Sequence, residues 1–472
     1  MAEDSMTEYR IALLEELIRG IRQQYEAAGI ALAIVNGQGE TCYQNFFGYR
    51  DEERQLPIDA DTIFGLASVT KSFVALSILQ LEERGLLDTE DPVSRYLPEF
   101  TNANQETVRI CHFLSHSAGF YPVHRTTVRE VMGEVPASCE AAEDLTYSEE
   151  MALKGTRIVA AQLNAQTGEH GLIGKPGLYM SYCNDGFGLL SEIVRRVSGE
   201  ASFADYVRKN ILEPLGMSRS GADYVRPSVD PDAVTLYKHV DGGRISLMDY
   251  YDRAFVLPGA GAMKSTLADM KKYLTMYLQR GRAGDGKPIL SGEEIRRLTT
   301  PRIEYRPGSF YAYGLSVKQM EDLTVVEHGG SLTGISSHIA WSYDADCGVI
   351  VLCNTTGVPV SEIADAAMRL YHGLEVRPRR EEGAEHPWSA SLQKTAAGHY
   401  RSEEGDEVMI SFPDGRLQLE INGRKVTAFM RNAQTALIRT PYKDNPLKLF
   451  LNEEGQVFAV GFGGRMLPRV SG

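Results

Sequence analysis

"GLASVTKSF", residues 65–73, sets a serine, Ser68, three positions ahead of a lysine, Lys71, with apolar residues on both sides. Residues three apart on a helix share a face, so the hydroxyl and the ammonium meet. A serine hydroxyl is a poor nucleophile until a base takes its proton. A lysine among apolar groups has its charged form disfavoured, which makes it such a base. The plainer alternative is a helix cap (Ser68) with a snorkelling lysine, and the pattern alone favours it. Apolar residues at Phe73, Leu76, Ile78, Leu79 and Leu81 carry the helix on, and Gly85 stops it.

Outward from this stretch, the 472-residue chain has room for about two or three domains. Its net charge of -14 argues against a nucleic-acid or anionic-membrane surface. No run of about 18 apolar residues predicts a membrane span. The first 25 residues lack a secretory pattern and read as an amphipathic helix with Ile11, Leu14, Ile18 and Ile21 on one stripe. The expectation is a cytoplasmic protein. The six cysteines are scattered without a C-x-x-C pair and are expected to be reduced. His112 and His116 stand four apart, but no third ligand follows, so no metal and no cofactor are expected.

Two apolar runs around "NGQGE" (36–40) predict a β-hairpin. A helix is expected from about Val108. Residues 121–176 lack clear periodicity and read as a lid or binding loop. Two helices follow, the second halted before Pro214, and a third ends at Gly281. Four strands between 311 and 355 and a helix near 361–374 close the domain. N-terminal and C-terminal strands are expected to complete one antiparallel sheet. The fold class is therefore α+β: an antiparallel sheet flanked by helices, with an all-helical subdomain. The expected domains are 1–375, a charged linker at 376–390, and an all-β meander or barrel of eight short strands at 391–472.

Two further motifs join the first. Tyr182-Cys183-Asn184 precedes an apolar helix; Tyr182 suits a general base or acid beside Lys71, a neighbouring cation favouring its phenolate. Asn184 suits a donor to a substrate carbonyl. "HGGSLTG" (328–334) supplies His328, then Gly329 and Gly330, which leave room for a substrate backbone. The backbone N–H groups of Ser68 and Ser331 suit an oxyanion hole.

In this order the three motifs resemble the serine β-lactamase and penicillin-binding-protein superfamily, in its class C-like branch of D-aminopeptidases and family VIII esterases. "ICHFLSHSAGF", "ILEPLGM" and "PGAGAMKSTLADMKKYL" also resemble the family, and the C-terminal meander is similar to its lipocalin-like appendage. The resemblance implies Ser68 as acylated nucleophile, Lys71 and Tyr182 as proton carriers, and Asn184, His328, Gly329 and Gly330 as substrate contacts. His328 stands where β-lactamases usually have lysine, which weakens the case for a substrate with a free carboxylate. The implied function is a serine hydrolase of small amides or peptides, D-residues included. The alternatives are an esterase or cyclising thioesterase of the same fold, or a non-catalytic penicillin-binding or sensor protein. The expected partner is a small-molecule or peptide substrate, with homo-oligomerisation left open.

Overall fold

A computed structural model describes residues 6–101, 107–123, 149–166, 173–222, 230–241, 243–247, 258–377, 385–402 and 404–470. Helix α1 (Glu8–Gln24) leads into the hairpin β1 (Gly29–Asn36) and β2 (Thr41–Asp51) and the short β3 (Leu56–Pro57). The helices α2 (Thr70–Glu83), α3 (Glu149–Ala165), α4 (Asn184–Ser198) and α5 (Leu267–Leu278) follow. Then come β4 (Ile303–Arg306), β5 (Ser309–Tyr311), β6 (Ser316–Met320), β7 (Leu323–Leu332), β8 (Ile335–Ser342) and β9 (Cys347–Cys353), closed by α6 (Val360–Tyr371). The nine strands form one antiparallel sheet in the order β3-β2-β1-β9-β8-β7-β6-β5-β4. The first and last strands of the domain thus pair, Ile30 opposite Cys353 through Asn36 opposite Cys347.

The central strands are buried on both faces, which is why "GIALAIV" and "CGVIVLC" are apolar runs rather than alternating patterns. Alternation still sorts their side chains. Ile30, Leu32 and Ile34 meet α1 and α6 in a core that includes Leu14, Ile18, Ile363 and Leu370. The smaller Ala31, Ala33 and Val35 face the other way, towards α2 and α5. On that side Trp341 of β8 is fully buried and stacks on Tyr277 of α5, ring centroids 4.4 Å apart. Helix α2 is buried from Thr70 to Leu81, so no face of it meets solvent. It ends as expected, with Gly85 at φ 70° and its N–H on the Glu82 carbonyl.

Three local expectations are corrected. The helix from about Val108 shrinks to a single turn, Ile110–Leu114. The second is the chain at Pro214, where the helix does not stop. It widens into one π-helical turn (Arg208–Leu212) and runs on to Leu215. Proline removes the N–H that would reach the Asn210 carbonyl, and Gln80 Nε2 donates to that oxygen instead (3.2 Å). The third concerns 121–176. Most of it lies outside the described residues, but 149–165 is a helix rather than an irregular loop.

The C-terminal strands form two antiparallel sheets. One holds β10 (Gly398–Arg401), β11 (Glu407–Ser411), β12 (Gln418–Ile421) and β13 (Arg424–Val426). The other holds β14 (Ala428–Asn432), β15 (Thr435–Arg439), β16 (Asp444–Leu451), β17 (Val457–Phe462) and β18 (Arg465–Pro468). The run "KVTAFM" (425–430) breaks at Thr427 and supplies an edge to each sheet, so nine strands form where eight are expected. A bridge between Tyr400 and Arg469 joins β10 to the end of β18. Trp388 packs into this core with Tyr400, Leu447 and Val460, and its Nε1 donates to the Asn432 carbonyl at 2.7 Å. No helix among the described residues is long and apolar enough to cross a membrane.

Replacing Trp341 by Ala opens a cavity between sheet and α5. We expect a loss of about 3–5 kcal/mol, measured as a lower urea midpoint for the larger domain.

Candidate active site

Ser68 sits in a tight turn, Ala67–Val69, that feeds directly into α2. Ala67 there adopts φ 47°, a left-handed conformation that costs a non-glycine residue energy. Local straps hold it. Thr70 Oγ1 donates to the Ala67 carbonyl (2.6 Å) and accepts from the Met263 N–H (3.0 Å). The Leu66 carbonyl accepts from Ser337 Oγ (2.6 Å). The strained turn therefore hangs between the sheet and the 258–265 segment.

Lys71 is fully buried. Its Nζ lies 3.1 Å from Ser68 Oγ, 2.9 Å from Asn184 Oδ1 and 2.7 Å from the Ala260 carbonyl, all uncharged. Two of these are acceptors only. As an ammonium the group donates to all three; once it gives up a proton, its two N–H bonds serve the carbonyl-type acceptors and its lone pair is left for the Ser68 hydroxyl. Burial, reinforced by the positive charge of Arg465, lowers its pKa from the ordinary lysine value to about 7. Ala260 reaches this position because Gly259 has no side chain; a Cβ there would lie 2.3 Å from the Phe187 carbonyl of α4.

Tyr182 hydrogen-bonds to Ser68, and Lys71 Nζ lies 4.8 Å from its ring centroid. Of the two roles open to Tyr182, general acid or base, its burial favours the protonated acid. Burial drives the Tyr182 pKa up, more strongly than the Ser68 hydrogen bond and the Arg465 charge draw it down. The side chain is held as a phenol. Asn184 starts α4, with its Oδ1 on Lys71 and its Nδ2 3.4 Å from Glu404 Oε1.

His328, Gly329, Gly330 and Ser331 lie on β7 beyond the reach of β6, which pairs only with 323–327. Among the described residues no strand pairs with that edge of β7 over 328–332, and it lines a cleft of about 760 Å³ with Ser68, Tyr182 and Asn184. His328 is buried, and its Nε2 accepts from the Tyr311 hydroxyl (2.8 Å) while its Nδ1–H donates to the Gly329 carbonyl (2.7 Å). Burial and the nearby Lys71 lower its pKa to about 3, so it is neutral. Gly330 lines the cleft and also serves the fold. A Cβ there would meet the Leu66 carbonyl at 2.1 Å and Ser337 Oγ at 2.3 Å. The missing side chain makes room for the turn that carries Ser68.

Sequence reasoning missed several contributors. His116, weighed as half of a metal pair, accepts the Cys183 N–H at Nδ1 (3.1 Å), and its carbonyl accepts the Ser181 N–H. Its ring packs on Tyr182, with centroids 4.1 Å apart. It clamps the Tyr182 segment from both sides; the signal lay in "LSHSAGF", which the family resemblance covers. Among the described residues no group of three side chains is placed to hold a metal ion. Arg465 and Glu404 also line the cleft, from the C-terminal sheets, and no local pattern marked them.

The beta-lactamase family model matches residues 14–373. The chain is 25% identical to Penicillin-binding protein 4* of Bacillus subtilis over 434 residues, 87% of each protein. It is 27% identical to the putative penicillin-binding protein PbpX of the same organism over 289 residues, 61% of each. It resembles the structure of the octameric penicillin-binding protein homologue from Pyrococcus abyssi, with a TM-score of 0.67 and 26% identity over 97% of this chain and 99% of that one. The crystal structure of SurE shares the fold along the full length of both chains, with a TM-score of 0.71 at 21% identity.

Two outcomes are expected. Gly330→Ala pushes β7 off the nucleophile turn and lowers kcat/KM at least about tenfold, measured beside an unchanged far-ultraviolet spectrum. The rate of Ser68 acylation rises with pH through about 7, because Lys71 accepts a proton only after losing its own. Lys71→Arg, whose side chain stays charged, removes that rise and the activity with it.

Proposed function

The chain belongs to the beta-lactamase family, and from that premise we propose that it is a serine hydrolase that forms an acyl-enzyme on Ser68, acting on small amides or peptides, D-residues included. We place it in the class C-like branch. The observation that carries this reading is the buried Lys71 amine, 3.1 Å from Ser68 Oγ, with no acidic side chain among the described residues hydrogen-bonded to it. A lysine kept only for structure gains from an ion pair; this one is held by uncharged acceptors, as a base requires.

In the proposed sequence Ser68 Oγ attacks the substrate carbonyl carbon as its proton passes to the Lys71 lone pair. The oxyanion of the tetrahedral intermediate accepts from the Ser68 and Ser331 backbone N–H groups. Collapse expels the leaving amine, which takes the Tyr182 proton, and Lys71 returns its proton to Tyr182. Water then attacks the ester on Ser68 by the same route in reverse. The free edge of β7 supports binding an extended acyl chain as an added strand. Neutral His328 offers no fixed positive charge to a terminal carboxylate, which favours internal amides, amino-acid amides and esters.

Labelling with a fluorophosphonate and turnover of a panel of D- and L-amino-acid amides and p-nitrophenyl esters test this. Ser68→Ala is expected to abolish labelling and to lower turnover by about a thousandfold or more. Labelling that survives in Ser68→Ala overturns the nucleophile; ester turnover without any amide turnover replaces the amidase by an esterase.

A further inference from the structure

The last hairpin of the chain reaches into the cleft. Strands β17 and β18 are joined by Gly463 and Gly464 alone, at φ 58° and 81°. Two consecutive positive φ angles make the tight turn whose twist matches paired strands, and glycine supplies them without strain. The turn docks on the catalytic tyrosine segment by backbone contacts: the Tyr182 N–H donates to the Gly464 carbonyl (2.9 Å), and the Met466 N–H to Ser181 Oγ (3.2 Å). Around it Ile173 and Tyr179 pack against Phe450, Phe458, Ala459 and Met466. The residue after the turn is Arg465. Its guanidinium carbon lies 5.1 Å from the Tyr182 ring centroid, and it pairs with Glu404, whose other oxygen faces Asn184 Nδ2.

We infer that Arg465 is a positioning residue of the Ser68–Lys71–Tyr182 centre, a fixed positive charge that the C-terminal domain supplies across the cleft so that proton transfer from Ser68 depends on the docking of that domain. The inference rests on the serine-hydrolase reading above. Lys71 and Arg465 both lie against the Tyr182 ring, at 4.8 and 5.1 Å from its centroid. A second cation there disfavours the lysine's charged form. The groups facing Lys71 from the surrounding elements are Tyr182, Cys183 and Asp185 at the start of α4, His116, His328 on β7, and the pair Glu404 and Arg465. His328 is held neutral. Of the charges that act on Lys71, Arg465 is the largest single one, ahead of Glu404, Cys183 and Asp185 each taken alone. Glu404 offsets part of that field and holds the guanidinium in place.

The test is the rate of Ser68 acylation by a fluorophosphonate against pH, in the full chain and its variants. Arg465→Gln is expected to move the midpoint of the acid limb upward by about half to one pH unit. Arg465→Lys is expected to return it most of the way. Glu404→Gln leaves the cation uncompensated and is expected to move it downward. An acid limb that stays in place in Arg465→Gln, or that moves the same way in the Arg465 and Glu404 variants, overturns the inference. A parent protein that is not acylated at Ser68 at any pH instead overturns the hydrolase reading on which it rests.

Discussion

A lysine stripped of water governs this structure. Burying an ammonium without an anion is costly, and the cost is relieved when the group gives up its proton. Every neighbour of Lys71 Nζ is consistent with that relief: a hydroxyl, a side-chain amide oxygen and a backbone carbonyl. Each comes from a different part of the chain, the nucleophile turn, the start of α4 and the 258–260 turn. The sheet, the helical subdomain and the close approach of Gly259 to α4 all have to be in place before the amine is dry.

The same burial acts with opposite results on the other titratable groups. It raises the Tyr182 pKa and lowers that of His328, so the phenol keeps its proton and the imidazole stays uncharged. In the proposed reading Lys71 then acts as the base, beside a phenol and a neutral ring. The positive φ at Ala67 belongs to this economy of space: it aims Ser68 at the amine, and Gly330 and Ser337 brace the turn from the sheet.

The C-terminal strands are more than an appended module. Their own core is closed around Tyr400, Leu447 and Val460, yet one glycine turn leaves it and pairs with the backbone of Tyr182. This makes the cleft a joint product of two cores. It also adds a cation and a carboxylate, Arg465 and Glu404, to the Arg306, Asp185 and Glu327 that the larger domain brings to the cleft.

Much was legible in the sequence because it is local. The Ser68–Lys71 spacing lies within one helical turn, the β1–β2 hairpin carries its own turn residues, and the apolar runs of β1 and β9 announce strands covered on both faces. The motif order pointed to the family, and the structure sets Ser68, Tyr182, Asn184 and His328 along one cleft, with Lys71 buried behind Ser68 and Asn184. What the tertiary structure decided is what depends on distance through space. Whether Tyr182 is phenol or phenolate follows from how deeply its hydroxyl is buried. The use of Gly330 depends on which backbone crosses it. The helix passes Pro214 by one residue through a π-helical turn, and a glutamine from α2 donates to the freed carbonyl. Arg465 enters the site from the far end of the chain, and no spacing rule connects residues that only folding brings together.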